Sequence, residues 1–281
     1  MNFITEGEVK ELGDKPIVND KDSFDFYNPP QGFQQAFTGS TFHLAYAEAA
    51  IFLNHIFSVI EADRGGSLDF KGMRIVDFGC GWGRMLRLLR YKLELQEAEL
   101  YGLEQQADAI RLCQKSVPRV WISRTRSFPP SDLRSSFIDV VYAYSVFSHL
   151  NVEPHLAWAQ EIHRILRPGG YACVTVQPRS FIQFCSEFRN GKREIGNNWH
   201  QLLSGAFKDE EDCYRRYDNG EFVFDFTTGG AGLEKDVYGD AVVPQGFVEK
   251  HWSRLGFRVV SWSPVPEPIP AQTRAVLQKL P

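Results

Sequence analysis

The sequence predicts an α/β fold: a doubly wound, Rossmann-like, seven-stranded sheet with a C-terminal antiparallel hairpin and an inserted lid. Three observations predict it. Short apolar runs alternate with amphipathic stretches between residues 73 and 177, a glycine-rich turn follows the first run, and a helix with two strands resumes after a long interruption. Apolar strands separated by helices imply a parallel sheet covered on both faces, and right-handed crossovers then give the doubly wound layout. In such sheets ligands bind outside the carboxyl ends of the strands, where the strand order reverses.

Each element has its own warrant. Residues 1–33 read as an irregular arm, broken by Pro29, Pro30 and Gly32. Residues 42–61 have helical spacing, with Ala45, Ala49, Phe52, Ile56 and Ile60 three or four apart. MRIVDFG (73–79) is a strand and RMLRLLRYKL the helix after it; ELYGLE (99–104) and ADAIRLCQKS (107–116) repeat the pair. RVWIS (119–123) and DVVYAYS (139–145) are further strands. Residues 155–166 form a helix stopped by Pro168, Gly169 and Gly170, and YACVTVQ (171–177) is the fifth strand. Residues 178–243 break the pattern: they are polar and aromatic-rich, with DEED at 209–212 and a hairpin expected around 220–230. A long insertion in a compact domain is usually a lid or binding element. GFVEKHWSRL then reads as a helix, with strands at 256–262 and 275–279. The divisions are thus an N-terminal arm and helix (1–66), a core (67–177), a lid (178–243) and a closing segment (244–281).

Composition limits the function classes. The 281 residues are 43% hydrophobic and 23% charged, which excludes a disordered or fibrous chain. A net charge of −4 offers no global attraction to a polyanion or membrane surface, so nucleic acid is not the expected partner. Aromatic residues reach 14%, which suits either a thick core or an apolar pocket. The five cysteines are dispersed and no leader is seen, so free thiols and a cytoplasmic location are expected. No apolar run reads as long enough to span a membrane.

The most informative run is Asp77-Phe78-Gly79-Cys80-Gly81-Trp82-Gly83-Arg84. Gly79, Gly81 and Gly83 let the backbone turn tightly and approach a ligand closely. The spacing is G-x-G-x-G, not the G-x-G-x-x-G of dinucleotide sites, and Asp77 on the strand suits an ammonium group while repelling a pyrophosphate. Glu104 ends the second strand, 104 − 83 = 21 residues after the last turn glycine, where an acid can take both ribose hydroxyls. Together they describe a site for a nucleoside with an amino-acid tail.

On these residues the sequence resembles the class I S-adenosylmethionine-dependent methyltransferases. DFGCGWGR, YGLE, FIDVVYAYSVFSHL and LRPGG, within residues 73–177, carry the resemblance. It implies S-adenosyl-L-methionine as cofactor and S-adenosyl-L-homocysteine as product. Asp77 and the turn, with Gly79, Cys80, Gly81 and Gly83, would hold the methionine end, Glu104 the ribose, and Gln105 would flank it. Tyr144 and Ser145 would border the sulfonium, and FTGS (37–40) would fold over the cofactor. Where the family often places an acid for the adenine amino group, residues 123–127 read SRTRS, which leaves backbone atoms, Thr125 or Ser127 to make that contact.

Other residues admit two readings. Cys80 is read as packing, with its backbone alone facing the cofactor, over a reactive thiol at a helix start. Trp82 is read as packing on its neighbours. His149 is the candidate general base, since an imidazole titrates near ~6.5; the alternative is a helix-entry histidine bonded to backbone. His155 and His163 read as surface or packing residues. His43, His55, His200 and His251 have no metal-site spacing, so no metal is expected. Trp199, His200, Tyr214, Arg215, Arg216, Tyr217 and Tyr238 could line an acceptor pocket, or the arginines could balance DEED. Phe222, Phe224 and Phe226 alternate and are expected to bury one face of a hairpin. The expected reaction is O-methylation of a small molecule or sugar unit. The alternatives are N-methylation of a protein or nucleic acid, favoured by Arg124, Arg126 and Arg134, a non-catalytic cofactor-binding module, and an NAD-dependent oxidoreductase.

Overall fold

The computed structural model describes residues 2–15, 28–93, 97–117, 119–227, 234, 236–263 and 272–281. The N-terminal segment is not an irregular arm: Glu6–Gly13 is a helix (α1), because the Thr5 side chain caps it and Glu8 reaches back to the Thr5 backbone. Its capping box is legible in the sequence as T-x-x-E. Helix α2 (Gln31–Thr38) ends on Gly39 at φ 68°, and α3 (Phe42–Arg64) is closed by Gly65 at φ 71°.

There follow β1 (Arg74–Phe78), α4 (Arg84–Lys92), β2 (Glu99–Glu104), α5 (Ala107–Ser116), β3 (Val120–Arg124) and β4 (Ile138–Ala143). Then come α6 (Val152–Ile165) and β5 (Leu166–Val176). Pro168, Gly169 and Gly170 therefore lie inside β5, not in a stop before it. Gly170 has the neighbouring chain so close that an added Cβ would sit 3.0 Å from the Asp139 carbonyl oxygen. The insertion holds α7 (Ser180–Arg189), α8 (Asn198–Ser204), α9 (Glu210–Asp218), β6 (Val223–Asp225) and β7 (Asp240–Val242), and the chain closes with α10 (Gln245–Trp252), β8 (Phe257–Ser263) and β9 (Thr273–Lys279).

The main sheet has seven strands in the order β3-β2-β1-β4-β5-β9-β8. Strands β1 to β4 pair in parallel, and β8 with β9 antiparallel, as the sequence predicts. Strand order reverses beside β1, whose neighbours are β2 and β4, and the glycine turn leaves β1 there.

The chain groups into two compact units. The first comprises residues 1–126, 130–143 and 165–171, the second 127–129, 144–164 and 172–281. In the first, α3 buries Ala45, Ala49, Phe52, Leu53, Ile56 and Ile60. The stretch Gln31–Arg64 is long and apolar enough to cross a membrane by length and composition, contrary to the sequence expectation. Half of that window is buried within the protein, which is how the core helix of a folded domain behaves. In the second unit Trp158 donates from Nε1 to the Ser127 carbonyl at 2.9 Å.

The insertion is a helical layer with its own core: Phe181, Phe184, Phe188, Leu203, Phe207 and Val223 pack together, with Trp199, Tyr214 and Tyr217 against them. These aromatic side chains are therefore spent on packing, contrary to the pocket reading. DEED is a helix start: Asp209 caps α9 by accepting from the Asp212 N–H, three acids fill the first turn, and Arg215 and Arg216 fill the last. Arg215 pairs with Asp212, and Arg216 lies 3.6 Å from Glu221. The hairpin expected within 220–230 is not local. Strand β6 pairs with β7, matching Val223 to Val242 and Asp225 to Asp240. Residues 228–230 of that expected hairpin lie outside the described residues. Nor are its three phenylalanines all buried: Phe222 is buried, Phe224 is half-buried and Phe226 is 62% exposed.

Candidate functional site

Within the first unit the glycine turn is built as the sequence requires. Gly79, Gly81 and Gly83 have φ of 75°, 54° and 83°, a region closed to most side chains. At Gly83 a Cβ would lie 2.5 Å from Cys113 Sγ; at Gly81 it would meet only the Phe37 ring, at 3.4 Å. Phe37, the first residue of FTGS, thus stands against the turn. Ser40, the last, donates to Glu48 at 2.7 Å, and Arg84 donates to the same carboxylate at 3.0 Å, tying the segment to α3 and α4.

Asp77 is 3% exposed and lies across from Gly102 on one side and Tyr142 on the other. Burial pushes its carboxyl up to about 8; the Tyr142 hydroxyl and Arg84 act the other way, and Glu104 adds to the rise. The group is thus mostly protonated at neutral pH until a cation arrives. Glu104 is also buried, and it accepts from the N–H groups of Gly81 (2.9 Å), Gln105 (2.7 Å) and Gln106 (2.9 Å). A carboxylate has about four acceptor positions, so roughly one remains.

Cys80 packs: its thiol is buried beside Cys113, which with burial drives its pKa well up, so it is no nucleophile. Its N–H is bonded to the Leu103 carbonyl at 3.1 Å, so the expectation that the Cys80 backbone faces the cofactor does not extend to that donor. Trp82 packs edge-on to Tyr46, ring centroids 5.7 Å apart. Gln105 flanks Glu104 and accepts from Arg124 at 3.1 Å. Thr125 is 7% exposed, and its N–H reaches the Glu104 carbonyl at 2.8 Å. The buried acid, the strand-end acid and the open glycine turn fit an ammonium-bearing nucleoside.

A second cluster lies within the second unit. Tyr144 and Ser145 follow β4 directly, and Ser145 adopts φ 59°. Its N–H donates to Thr175 Oγ1 at 2.7 Å, and its hydroxyl lies 3.3 Å from His149 Nε2. Gln272 Nε2 donates to Ser145 Oγ at 2.9 Å. The other imidazole nitrogen, Nδ1, is 2.8 Å from the Gly239 carbonyl and 3.3 Å from Asp240 Oδ1. Backbone pairing sets this up: Gly239 N–H donates to the His149 carbonyl (2.9 Å) and Ala241 N–H to the Ser148 carbonyl (2.8 Å).

Burial lowers the proton affinity of His149, but the hydrogen bond and charge of Asp240, with the Gly239 carbonyl, outweigh it and leave its pKa above the ordinary value. His155 is different. It is fully buried among Phe147, Phe222, Phe247 and Trp252, and burial, helped by His251, drops its pKa to about 3. Among the described residues no three His, Cys, Asp or Glu side chains converge as a metal site.

Sequence reasoning missed Tyr142, Thr175, Asp240 and Gln272. A polar residue at the end of an otherwise apolar strand could have flagged Thr175. Asp240 and Gln272 lie far along the chain from His149 and Ser145, and no local signal marks them.

Residues 76–174 match the family described as a methyltransferase domain. Among solved structures, the chain is similar to a protein of Pyrococcus horikoshii (TM-score 0.55, 14% identity, 88% of this chain and 96% of that one covered). It is also similar to magnesium protoporphyrin IX methyltransferase of Synechocystis with bound SAH (TM-score 0.53, 10% identity, 99% and 96% covered). A third is an S-adenosylmethionine-dependent methyltransferase of Mesorhizobium loti (TM-score 0.52, 16% identity, 77% and 95% covered). At such identities these likenesses show the fold. No curated protein matches the chain by sequence.

Proposed function

We propose that the chain, whose residues 76–174 match the methyltransferase domain family, is a class I S-adenosylmethionine-dependent methyltransferase and O-methylates a small molecule or a sugar unit. The cofactor supplies an electrophilic methyl group on a sulfonium. In this reading Asp77 takes its ammonium, Glu104 a ribose hydroxyl, and the glycine turn passes close to its methionine end. Gln105 and Thr125 flank the nucleoside. Holding donor and acceptor in line is the protein's main contribution, worth up to roughly 7–11 kcal/mol in favourable systems.

The observation that carries the choice of oxygen is His149. Its Nδ1 is bonded to the Gly239 carbonyl, so Nε2 presents the lone pair that accepts a proton, with the Ser145 hydroxyl 3.3 Å from it. A hydroxyl acceptor must lose a proton and gains about 10²–10⁴-fold from such a base, whereas a carboxylate acceptor needs none. A nucleic-acid acceptor finds less support. Arg124 is bonded to the Gln105 carbonyl and Arg134 stacks over Phe137 at 4.3 Å, so two of the three arginines are engaged within the protein.

Thermal melting with S-adenosylhomocysteine, S-adenosylmethionine, NAD and NADP tests the cofactor. A ligand at ~100 times its dissociation constant stabilises by about 2.7 kcal/mol. The expected result is a shift with the two sulfur nucleosides only; a shift with the dinucleotides alone refutes the premise. Release of S-adenosylhomocysteine is then followed with phenols, sugars, amines and carboxylic acids. Turnover with the hydroxyl compounds is expected, and methyl transfer confined to amines or carboxylates refutes the acceptor class.

A further inference from the structure

We propose that Ser145, His149 and Asp240 form one proton relay, in which the Ser145 hydroxyl, rather than the imidazole, meets the acceptor. The inference rests on the reading of the acceptor as a hydroxyl compound.

Hydrogen-bond accounting carries it. His149 Nδ1 is bonded to the Gly239 carbonyl, which can only accept, and Asp240 Oδ1 lies 3.3 Å from the same nitrogen, so Nδ1 bears the proton. Nε2 then has a lone pair, and the hydroxyl that reaches it is Ser145, which donates across 3.3 Å. The orientation of Gln272 follows from Thr175. Thr175 Oγ1 already accepts the Ser145 N–H, so its own proton goes to Gln272 Oε1 at 2.5 Å. That turns Gln272 Nε2 toward Ser145 Oγ, 2.9 Å away. Ser145 Oγ thus gives its proton to His149, receives one from Gln272, and keeps a single lone pair. That lone pair is the open position of the network, and an incoming hydroxyl is the group it can accept from.

The backbone supports the same assignment. Ser145 holds φ 59°, a conformation that is unfavourable for a non-glycine residue and persists only where its surroundings enforce it. Thr175 and Gln272 enforce it. Asp240 is 1% exposed and is bonded by the Thr227 hydroxyl, so its carboxylate is fixed beside the ring. A side chain at residue 239 would collide with the Asp225 carbonyl oxygen and the Phe224 ring, so glycine is required where the backbone carbonyl meets His149. Asp240 is therefore a positioning residue, fixing the tautomer and stabilising the imidazolium.

The step balances as follows. The acceptor O–H bond breaks and its proton passes to Ser145 Oγ while the Ser145 proton passes to His149 Nε2. The acceptor oxygen keeps the electron pair that forms the new bond to the methyl carbon, and the carbon–sulfur pair stays with sulfur. The imidazolium, paired with Asp240, later returns its proton to water. Among the described residues, the charged group facing the ring is Asp240; its other polar neighbours are the Ser145 hydroxyl and the Gly239 carbonyl.

Nitrogen-15 NMR of histidine-labelled protein across a pH series tests the relay without an acceptor. Neutral His149 should carry its proton on Nδ1 and titrate above the ordinary value of about 6.5. Asp240→Asn should lower that pKa by about one unit or more, a tenfold change in protonation. Ser145→Ala should leave the tautomer unchanged and move the Nε2 signal toward that of an unbonded nitrogen. A proton on Nε2 in the wild type, an unchanged pKa in Asp240→Asn, or an unmoved Nε2 signal in Ser145→Ala overturns the proposal. If Asp240→Asn does not fold, the wild-type tautomer and Ser145→Ala still decide. Calorimetry with S-adenosylhomocysteine on the same samples separates the two levels. Absence of binding refutes the cofactor reading beneath, whereas normal binding with the wrong tautomer removes the relay alone.

Discussion

Replacing Asp77 by Asn should stabilise the ligand-free protein while abolishing its affinity for the cofactor. The buried carboxyl titrates at about 8, against about 3.8 for an ordinary Asp. Its folded-state pKa is raised, so its contribution to stability is fully present below about 3.9 and is lost as the pH rises toward 8. The loss runs at about 1.4 kcal/mol per pH unit, which by neutral pH reaches an upper bound of about 4 kcal/mol. Asn keeps the shape and cannot ionise, so a gain of roughly half that bound is expected after imperfect replacement of the carboxyl's bonds. At ~2–4 °C per kcal/mol for a chain of this size, the melting midpoint should rise by about 4–8 °C. Breaking the buried ammonium–carboxylate pair should weaken S-adenosylhomocysteine by at least ~100-fold, about 3 kcal/mol. Scanning fluorimetry and calorimetry at neutral pH read both quantities. An Asn variant that melts lower than the wild type, or one that still binds S-adenosylhomocysteine normally, would refute the assignment of Asp77 as a strained, ligand-seeking acid.

Other perturbations follow from the same geometry. Gly83→Ala adds a Cβ 2.5 Å from Cys113 Sγ at φ 83° and should cost about 2–4 kcal/mol in a urea melt, while Gly81→Ala, facing only Phe37 at 3.4 Å, should cost about 1 kcal/mol. Equal costs would show that strain at the turn is not local. His155, with its pKa depressed to about 3, contributes stability that is present above about 6.5 and lost as the pH falls through that window; His155→Leu should flatten the acid limb of the stability profile. Phe181→Ala should cost about 3–5 kcal/mol and raise hydrogen exchange in α7, α8 and α9 first, because Phe181 sits in the insertion's own core. Uniform exchange changes across the chain would instead mean that the insertion has no separate cooperativity.

What was legible in the sequence is what neighbours in the chain decide. The glycine turn could be read because three positive-φ positions within five residues require glycine, whatever surrounds them. Strands β1, β2 and β4 could be read because a strand covered on both faces carries a short apolar run, here at residues 75–76, 100–103 and 140–143. The N-terminal helix was missed although its cap is local, because the prolines that follow suggested irregular chain. The hairpin around 220–230 was missed for a different reason. The partner of β6 is β7, fifteen residues beyond it, and Val223 and Val242 meet only after the intervening chain has returned. The insertion's aromatic residues looked like a pocket because composition cannot distinguish rings that face a ligand from rings that face one another. His149 was found from its place after a strand end, whereas Asp240, 240 − 149 = 91 residues on, was brought to it by backbone pairing between 148–151 and 237–241.

The two acids of the first unit also make a joint demand on any ligand. Without a ligand the site is satisfied internally: Asp77 holds a proton, and Glu104 is bonded by three backbone N–H groups. A nucleoside alone can share Glu104 and leave Asp77 as it is, so adenosine should bind with almost no proton change. A nucleoside with an ammonium-bearing tail must ionise Asp77, so S-adenosylhomocysteine should release a proton at neutral pH, and its affinity should rise with pH, approaching tenfold per pH unit, until the pH nears about 8. Calorimetry in two buffers of different ionisation enthalpy measures that proton directly. Equal proton release by adenosine and S-adenosylhomocysteine would place the titrating group at the nucleoside, and would remove Asp77 as the residue that selects for the amino-acid tail.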